Sequence, residues 1–240
     1  TRTSGMSLIV VVAAWEAIAR FRPSPFLPPF SEVIGALARL VATGEILGNL
    51  ALSLVSLVAG FAAAVVVGVA AGALMGRHER LGRALDPWLT AMLAAPNLVF
   101  VPILFTLFGA SRLTQIGAVF LGAVFVIAST TESGIRQASP RLLEMASAFG
   151  ANERDLFWKV RWPQAQPLVA GGLRVGVLYA VKGMVNGEMF IALSGLGGLI
   201  RTFGSRFEAA NVLAILLVVA VVALACAAAV SRAARPTSTA

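Results

Sequence analysis

Long apolar segments alternate with short polar segments along the whole chain. A membrane-spanning helix needs ~20 consecutive apolar residues. We predict six spans, at residues 6–21, 46–76, 85–109, 113–133, 168–193 and 212–230. The first is short, but no small-residue cleavage site precedes a polar start, so we interpret it as a membrane helix and not as a signal peptide. The pattern predicts an all-α, polytopic membrane protein that forms one domain over residues 1–240.

Composition agrees with a membrane protein, since 58% of the residues are hydrophobic and only 12% are charged. A net charge of +8 could indicate nucleic-acid binding in a soluble protein. Here the basic residues flank apolar spans, so we expect the lipid bilayer, and no nucleic acid, as a partner. The single cysteine, Cys226, excludes a disulfide framework within one chain, and no metal-ligand spacing occurs.

The basic residues are distributed unequally between the two sides that six spans define. One side carries Arg2, Arg77, Arg80, Arg83, Arg136, Arg141, Arg154, Lys159, Arg161, Arg232 and Arg235. The other side carries Arg20, Arg22, Arg39, Arg112, Arg201 and Arg206. Because basic loops stay in the cytoplasm, this excess predicts an inner-membrane protein whose N- and C-termini are both cytoplasmic.

A charged interruption at residues 139–163 carries complete helix signals. Ser139 can cap a helix whose first residue is Pro140. Gly150 can adopt the left-handed conformation that ends a helix, and Asn152 can cap a second one. The segment therefore predicts two short amphipathic helices that meet at a glycine and lie on the membrane surface or in a groove of a partner.

This segment resembles the cytoplasmic EAA loop of ABC importer permeases, written E-A-A-x3-G-x9-I-x-L-P. The matching positions are Glu144, Ala146, Gly150, Val160, Trp162 and Pro163, with Met145 in place of the first alanine and Trp162 in place of leucine. The resemblance implies a coupling helix, at roughly residues 143–159, that docks into the ATP-hydrolysing subunit. The implied coupling residues are Glu144, Met145, Ala146, Phe149, Gly150, Ala151, Asp155 and Pro163. The alternative is an amphipathic connector without a partner.

Three further stretches resemble the nitrate, sulfonate and taurine branch of these permeases. They begin at Leu27 (L-P-x-x-x-E-V), at Ala95 (A-P-x5-P-I-L-F-x-x-F-G) and at Glu188 (E-M-x5-G-L-G-x-x-I). The resemblance implies a type I importer fold, a second permease copy in a homodimer, and an extracytoplasmic substrate-binding protein. Ser31 also predicts a short interfacial helix on the outer side, over residues 31–42.

Polar or helix-breaking residues inside spans are candidates for a substrate pathway, because they are costly unless they face a cavity or a partner. These candidates are Pro96 and Pro102 in the third span, and Tyr179, Lys182, Asn186 and Glu188 in the fifth. Lys182 and Asn186 could instead form a satisfied structural pair, and Glu188 could lie at the outer surface. Glu132, at the end of the fourth span, is expected at the water boundary.

Small residues recur every three or four positions in two of the spans. In the second they are Gly60, Ala64, Gly68, Gly72 and Gly76, and in the fifth they are Gly172, Gly176, Ala180, Gly183 and Gly187. Such stripes allow another helix to approach closely. We therefore expect helix packing along both.

No phosphate-binding G-x-x-x-x-G-K-[ST] loop and no catalytic constellation occurs in the sequence. We therefore expect no enzyme activity and no cofactor in this chain, with ATP and Mg²⁺ bound by a partner ATPase. The predicted function is the permease subunit of an ATP-driven importer for a small, anionic solute. The alternative is a secondary transporter or channel driven by an ion gradient, which leaves residues 139–163 unexplained; a membrane scaffold without transport is a third possibility.

Overall fold

The computed structural model describes residues 2–22, 24–191 and 194–234, and these residues contain helices but no β-strand. The α-helices are α1 (Arg2–Phe21), α2 (Phe30–Ala42), α3 (Glu45–Arg77), α4 (Glu79–Ala94), α5 (Phe100–Phe108), α6 (Arg112–Arg136), α7 (Pro140–Ala148), α8 (Glu153–Asp155), α9 (Trp162–Ile191), α10 (Leu196–Ser205) and α11 (Ala209–Ala233). A 3₁₀ turn, Asn97–Val99, precedes α5, and a π-helical segment, Leu156–Arg161, precedes α9. The all-α fold class is therefore confirmed.

Among the residues that the structure describes, four helices are long and apolar enough to cross a membrane: α3, α6, the continuous helix Glu153–Ile191, and α11. A fifth crossing is formed if α4 and the segment Asn97–Phe108, which meet at an angle of 92°, count as one bent span. The predicted third span is thus a broken helix pair. Helix α1 is not among these candidates, so the first of the six predicted spans stays a prediction.

The chain divides into two compact units, and the boundaries fall inside α3, α9 and α11. The first unit comprises Thr1–Val55 and Glu188–Val222, and the second comprises Ser56–Gly187 and Ala223–Ala240.

Helix α6 is the centre of the second unit, and half of the residues in its most apolar stretch are buried. The small residues of α3 lie directly against it. A Cβ atom added to Gly60 would lie 2.6 Å from the Cβ atom of Val119, and one added to Gly76 would lie 2.6 Å from that of Ile135. Ala64, between them, is fully buried. The stripe on α3 therefore packs as predicted, with the two backbones in close approach.

The stripe on α9 packs against α6 as well. A Cβ atom on Gly176 would lie 2.8 Å from the Ile127 side chain, and one on Gly183 would collide with the carbonyl group of Ala118. Glycine is required at Gly183 because the obstacle is backbone, which cannot rotate away as a side chain can. Helix α6 is thus held between two glycine-lined helices.

In the first unit, α1 supplies the cap of α2. The carboxylate of Glu16 accepts hydrogen bonds from the backbone N–H (3.0 Å) and the hydroxyl group (2.8 Å) of Ser31. The indole N–H of Trp15 donates to the carbonyl oxygen of Pro28 at 3.1 Å. The interfacial helix predicted for residues 31–42 exists, but its N-cap is Pro29 and Ser31 lies in its first turn. The prediction that Ser31 caps this helix is therefore wrong.

The packing of α9 on α6 predicts opposite effects of one substitution at two glycines of α9. Gly183→Ala should destabilise the protein by about 1–3 kcal/mol, because the new methyl group forces the backbones apart. Gly171→Ala should be neutral or stabilising, since nothing lies within 4 Å of its Cβ position and alanine favours a helix. Thermal unfolding in detergent, followed by size-exclusion fluorescence, measures both. Equal melting temperatures for the two variants would contradict the close contact.

Candidate functional site

The helix ending at Gly150 has the complete hydrogen-bond pattern of a glycine-terminated helix. Gly150 has a φ angle of 83°. Its N–H donates to the carbonyl oxygen of Ser147 at 2.9 Å, and the N–H of Ala151 donates to that of Ala146 at 3.0 Å. These two bonds satisfy carbonyl groups that the end of α7 leaves without intrahelical partners. The predicted role of Gly150 in ending the helix is confirmed.

The next helix also begins as predicted, because the side-chain oxygen of Asn152 accepts a hydrogen bond from the N–H of Asp155 at 2.9 Å. Asp155 then forms an ion pair with Lys159 at 2.6 Å, one turn further on. The start of α7 differs from the prediction. The Ser139 side chain makes no capping bond, and its backbone N–H donates to the side-chain oxygen of Gln164 at 2.9 Å.

The second helix of the loop is not short, which corrects the prediction. It continues from α8 through the π-helical segment into α9, so the chain is helical from Glu153 to Ile191. Trp162 follows the π-helical segment directly and donates its N–H to the carbonyl oxygen of Phe157, and Pro163 is the next residue. The second half of the loop and the membrane span therefore form one continuous helix.

The two sides of this loop have different environments. Phe157 is 8% exposed and packs in a cluster with Ile135, Ala165 and Val169. By contrast, α7 buries none of its residues. Three apolar side chains at helical spacing, those of Leu142, Met145 and Phe149, are exposed by 41%, 52% and 87%. Glu144 is exposed beside them. The loop is thus anchored on one side and presents an apolar face on the other.

The two prolines of the predicted pathway have different positions. Pro96 separates α4 from the 3₁₀ turn Asn97–Val99, so it marks the bend. Pro102 lies in the first turn of α5, where its missing N–H leaves no helix bond unmade. The expectation that Pro102 breaks or kinks the span is therefore wrong.

The three pathway candidates at helical spacing on α9 lie on one accessible face. Lys182 and Tyr179 are exposed, and Asn186 is partly buried. The ammonium group of Lys182 lies 4.9 Å from the centre of the Tyr179 ring, a cation–π distance. Lys182 therefore contacts an aromatic ring on its own helix.

Glu188 is 1% exposed and is therefore buried inside the protein. The alternative that it lies at the outer surface of the membrane stays a prediction. Its carboxylate accepts a hydrogen bond from the N–H of Gly197 at 2.8 Å. The hydroxyl oxygen of Ser53 accepts from the N–H of Leu196 at 2.9 Å, and the side-chain oxygen of Asn49 accepts from that of Gly195 at 2.8 Å. Three side chains together satisfy the first amides of α10, where a negative charge is also stabilised by the helix dipole.

Glu132 is also buried, with 6% of its surface exposed, and forms an ion pair with Arg136 at 3.0 Å. Glu132 lies one turn before the end of α6, and the expectation that it lies at the water boundary stays a prediction. Thr130 behaves as expected for a hydroxyl group inside a span, since it donates to the carbonyl oxygen of Val126 at 2.8 Å. Within the described residues, no three His, Cys, Asp or Glu side chains come together as metal ligands.

These features define a helical membrane protein with an exposed amphipathic loop joined rigidly to a span. The chain belongs to the family described as the binding-protein-dependent transport system inner membrane component, whose model matches residues 64–235. It is therefore an inner-membrane permease component of an ABC importer. This membership favours the importer over the alternative of a gradient-driven transporter.

Relatives in several organisms are similar over most of their length. A putative ABC transporter permease of Methanocaldococcus jannaschii is 30% identical, over 90% of this chain and 83% of its own. The formylaminopyrimidine transport permease protein ThiX of Halalkalibacterium halodurans is 30% identical, over 86% and 82%. The taurine transport system permease protein TauC of Escherichia coli is 27% identical, over 90% and 82%.

Two solved structures share the fold. An amino acid ABC transporter crystallised with histidines superposes with a TM-score of 0.65, at 17% identity, over 83% of this chain and 97% of its own. The MetNI methionine ABC transporter, in an inward-facing conformation, superposes with a TM-score of 0.62, at 20% identity, over 78% and 92%. The type I permease fold is therefore confirmed.

The capping of α10 generates a stability prediction. Ser53→Ala should leave the N–H of Leu196 without its partner in a buried site, at a cost of about 1–2 kcal/mol. Hydrogen–deuterium exchange at residues 194–200 should become faster as a result. Ser205→Ala, at the other end of α10, should leave that exchange unchanged because its hydroxyl group bonds only within the helix. Unchanged exchange in the Ser53 variant would exclude the capping role.

Proposed function

We propose that two copies of this chain form the pathway of an ATP-driven importer, and that residues 139–163 couple each copy to an ATPase subunit. The observation that supports this most directly is the exposed apolar face of α7, formed by Leu142, Met145 and Phe149. Exposed side chains of this size at helical spacing suit insertion into a groove of a partner protein. Glu144 adds a negative charge to the same surface.

The continuous helix explains how such docking would move the membrane part. A displacement of α8 cannot be absorbed by a flexible joint, because Leu156 and Phe157 are buried and the helix runs without a break to Ile191. The glycine stripe of α9 then transmits the displacement to α6. Gly150 fixes the angle between α7 and this helix, since its φ of 83° strains any other residue.

The energy source lies in a different polypeptide in this proposal. None of the 240 residues forms a phosphate-binding loop, so ATP and Mg²⁺ would be held by the ATPase subunit. The unequal distribution of basic residues supports an orientation with α7 and both termini in the cytoplasm. A substrate-binding protein would then deliver the solute on the opposite side.

We propose a small anion as the solute. Relatives carry names that refer to taurine, aliphatic sulfonates and nitrate, as well as to formylaminopyrimidine. On this chain, Lys182 supplies a positive charge within the candidate span Glu153–Ile191, next to Tyr179. A cation in that position lowers the electrostatic cost of an anion in the membrane. Asn186, one turn further along, could donate a hydrogen bond to the same solute.

The coupling proposal is tested by Phe149→Ala. Phe149 packs against little in its own chain, so the variant should fold with unchanged thermal stability. Loss of a docking side chain should weaken recovery of the ATPase subunit by about tenfold and reduce ATP hydrolysis in parallel. Phe21→Ala is a matched control, because Phe21 is also 87% exposed but lies on α1. Full recovery of the ATPase with the Phe149 variant would exclude this face as the docking surface.

The anion proposal is tested by Lys182→Met and Lys182→Arg in an uptake assay with nitrate, taurine and an alkanesulfonate. Lys182→Met should reduce uptake by roughly tenfold or more, because the attraction for the anion is lost. Lys182→Arg, which keeps the positive charge, should retain most of the uptake activity. ATPase recovery should be normal in both variants, so that a pathway defect is separated from a coupling defect. Equal uptake by both variants would rule out an electrostatic role for Lys182.

A further inference from the structure

An apolar groove runs along the surface of α3 and has a volume of about 550 Å³. Its walls are Val65, Val66, Val69, Ala70, Ala73 and Leu74 from α3, and Phe157, Trp158 and Trp162 from the helix that follows the coupling loop. Val66, Leu74 and Trp158 are each more than half exposed. Among the described residues that line it, Arg77 at the end of α3 is the only charged one.

Arg77 also lines a second cavity, of about 450 Å³, together with Arg136, Arg161 and Glu79. Three cations and one carboxylate therefore surround this space. Arg136 is engaged by Glu132, and Glu79 lies 3.8 Å from Arg83, which is outside the cavity.

Arg77 and Arg161 are the two cations of this cavity that remain available. In the described part of the chain, neither has an acidic partner within ion-pair distance. The guanidinium group of Arg77 instead lies 5.6 Å from the centre of the Phe157 ring. The positive charge at the end of the groove is therefore open to an anion.

The length of the groove indicates what kind of anion it suits. From Arg77 to Val65 the groove extends about 18 Å along the helix axis, at ~1.5 Å per residue. One leaflet of a bilayer contributes about 15 Å of hydrocarbon, half of the core thickness. The groove therefore matches a single acyl chain in one leaflet, and Arg77 lies where the headgroup would begin. Tryptophans such as Trp158 and Trp162 are typical of that boundary.

We propose that an anionic phospholipid binds here, with its phosphate between Arg77 and Arg161 and one acyl chain along α3. A soluble anion would leave the apolar groove unused, and an acidic segment of a partner protein would not extend into the hydrocarbon. Basic pockets between membrane helices on the cytoplasmic side are suited to anionic headgroups. None of the described residues that line the groove lies in α7, whereas Pro140 and Leu143 of α7 line the cavity beside Arg77 and Arg161. The exposed side chains of Leu142, Met145 and Phe149 line neither space, and the proposal does not depend on which solute is transported.

Occupancy would join two elements that the coupling mechanism uses. The groove has α3 on one side and Phe157, Trp158 and Trp162 on the other, and these aromatic residues directly follow the coupling loop. A bound lipid would fill the space between them and hold the π-helical segment against α3. Binding of an anionic lipid would therefore strengthen the attachment of the coupling loop to α3.

The test is native mass spectrometry of the detergent-purified chain with phosphatidylglycerol or phosphatidylcholine that carry identical acyl chains. The wild type should retain phosphatidylglycerol about 25-fold more, since each of the two basic residues contributes roughly a factor of five. Arg77→Gln with Arg161→Gln should remove that preference. Arg80→Gln with Arg83→Gln removes the same charge from the adjacent exposed positions and should leave the preference intact.

A second variant tests the groove without changing any charge. Ala70→Trp should block the chain-binding part and lower the retention of both lipids, which keeps the proposal testable if the double arginine variant does not fold. Equal retention of the two lipids by the wild type would overturn the proposal. So would displacement of phosphatidylglycerol by glycerol 1-phosphate, which would indicate a site for soluble anions. A change in oligomer mass in Ala70→Trp with lipid retention unaltered would assign the groove to a second copy of the chain.

Discussion

The close approach of backbones on both sides of α6 is the constraint on which the second unit depends. Without a hydrophobic driving force between helices in lipid, membrane helices associate through van der Waals contact, which is strongest where no side chain keeps the backbones apart. Gly60 and Gly76 on α3, and Gly183 on α9, provide such places. Three spans are thereby held as one block, and the coupling loop extends from this block through α9.

The division of the coupling loop into an anchored side and an exposed side follows from this arrangement. Phe157 packs with Ile135 of α6 and with Ala165 and Val169 of α9, so the second half of the loop belongs to the block. The first half, α7, is held by the glycine-terminated bonds around Gly150 and by the bond between Ser139 and Gln164. Its apolar face is accessible to a partner, because none of the residues of α7 is buried.

Several local signals were predictable from the sequence, although the caps expected from Ser31 and Ser139 did not form, and long-range partners were not predictable. The glycine stripes, the closure at Gly150 and the cap at Asn152 depend on residues within one turn or on a repeated spacing. The buried position of Glu188 depends instead on the start of α10, which is held in place by distant side chains. Asn49 and Ser53 accept hydrogen bonds from the N–H groups of Gly195 and Leu196, which lie 146 and 143 residues further along the chain. Pro96 predicted a break but could not predict the angle of 92°, since the angle is set by what α4 and α5 pack against. The sequence signal that could have predicted this capping cluster is the acidic residue Glu188 shortly before the glycine-rich start of α10.

The three-fold capping of α10 also determines where this part of the chain can bend. Moving α10 away from α9 and the start of α3 would strip three amides of their acceptors at once, so these pieces travel together as a rigid body. After α10, the N–H groups of Arg206, Phe207 and Glu208 donate to nearby carbonyl oxygens, those of Phe203 and Gly204. Phe207 has a φ of 58°, an uncommon left-handed value for a residue other than glycine, and its ring lies 6.4 Å from that of Phe26. Between α10 and α11 the chain therefore relies on local backbone bonds and one ring contact, so a bend there would break fewer hydrogen bonds than a bend at the start of α10.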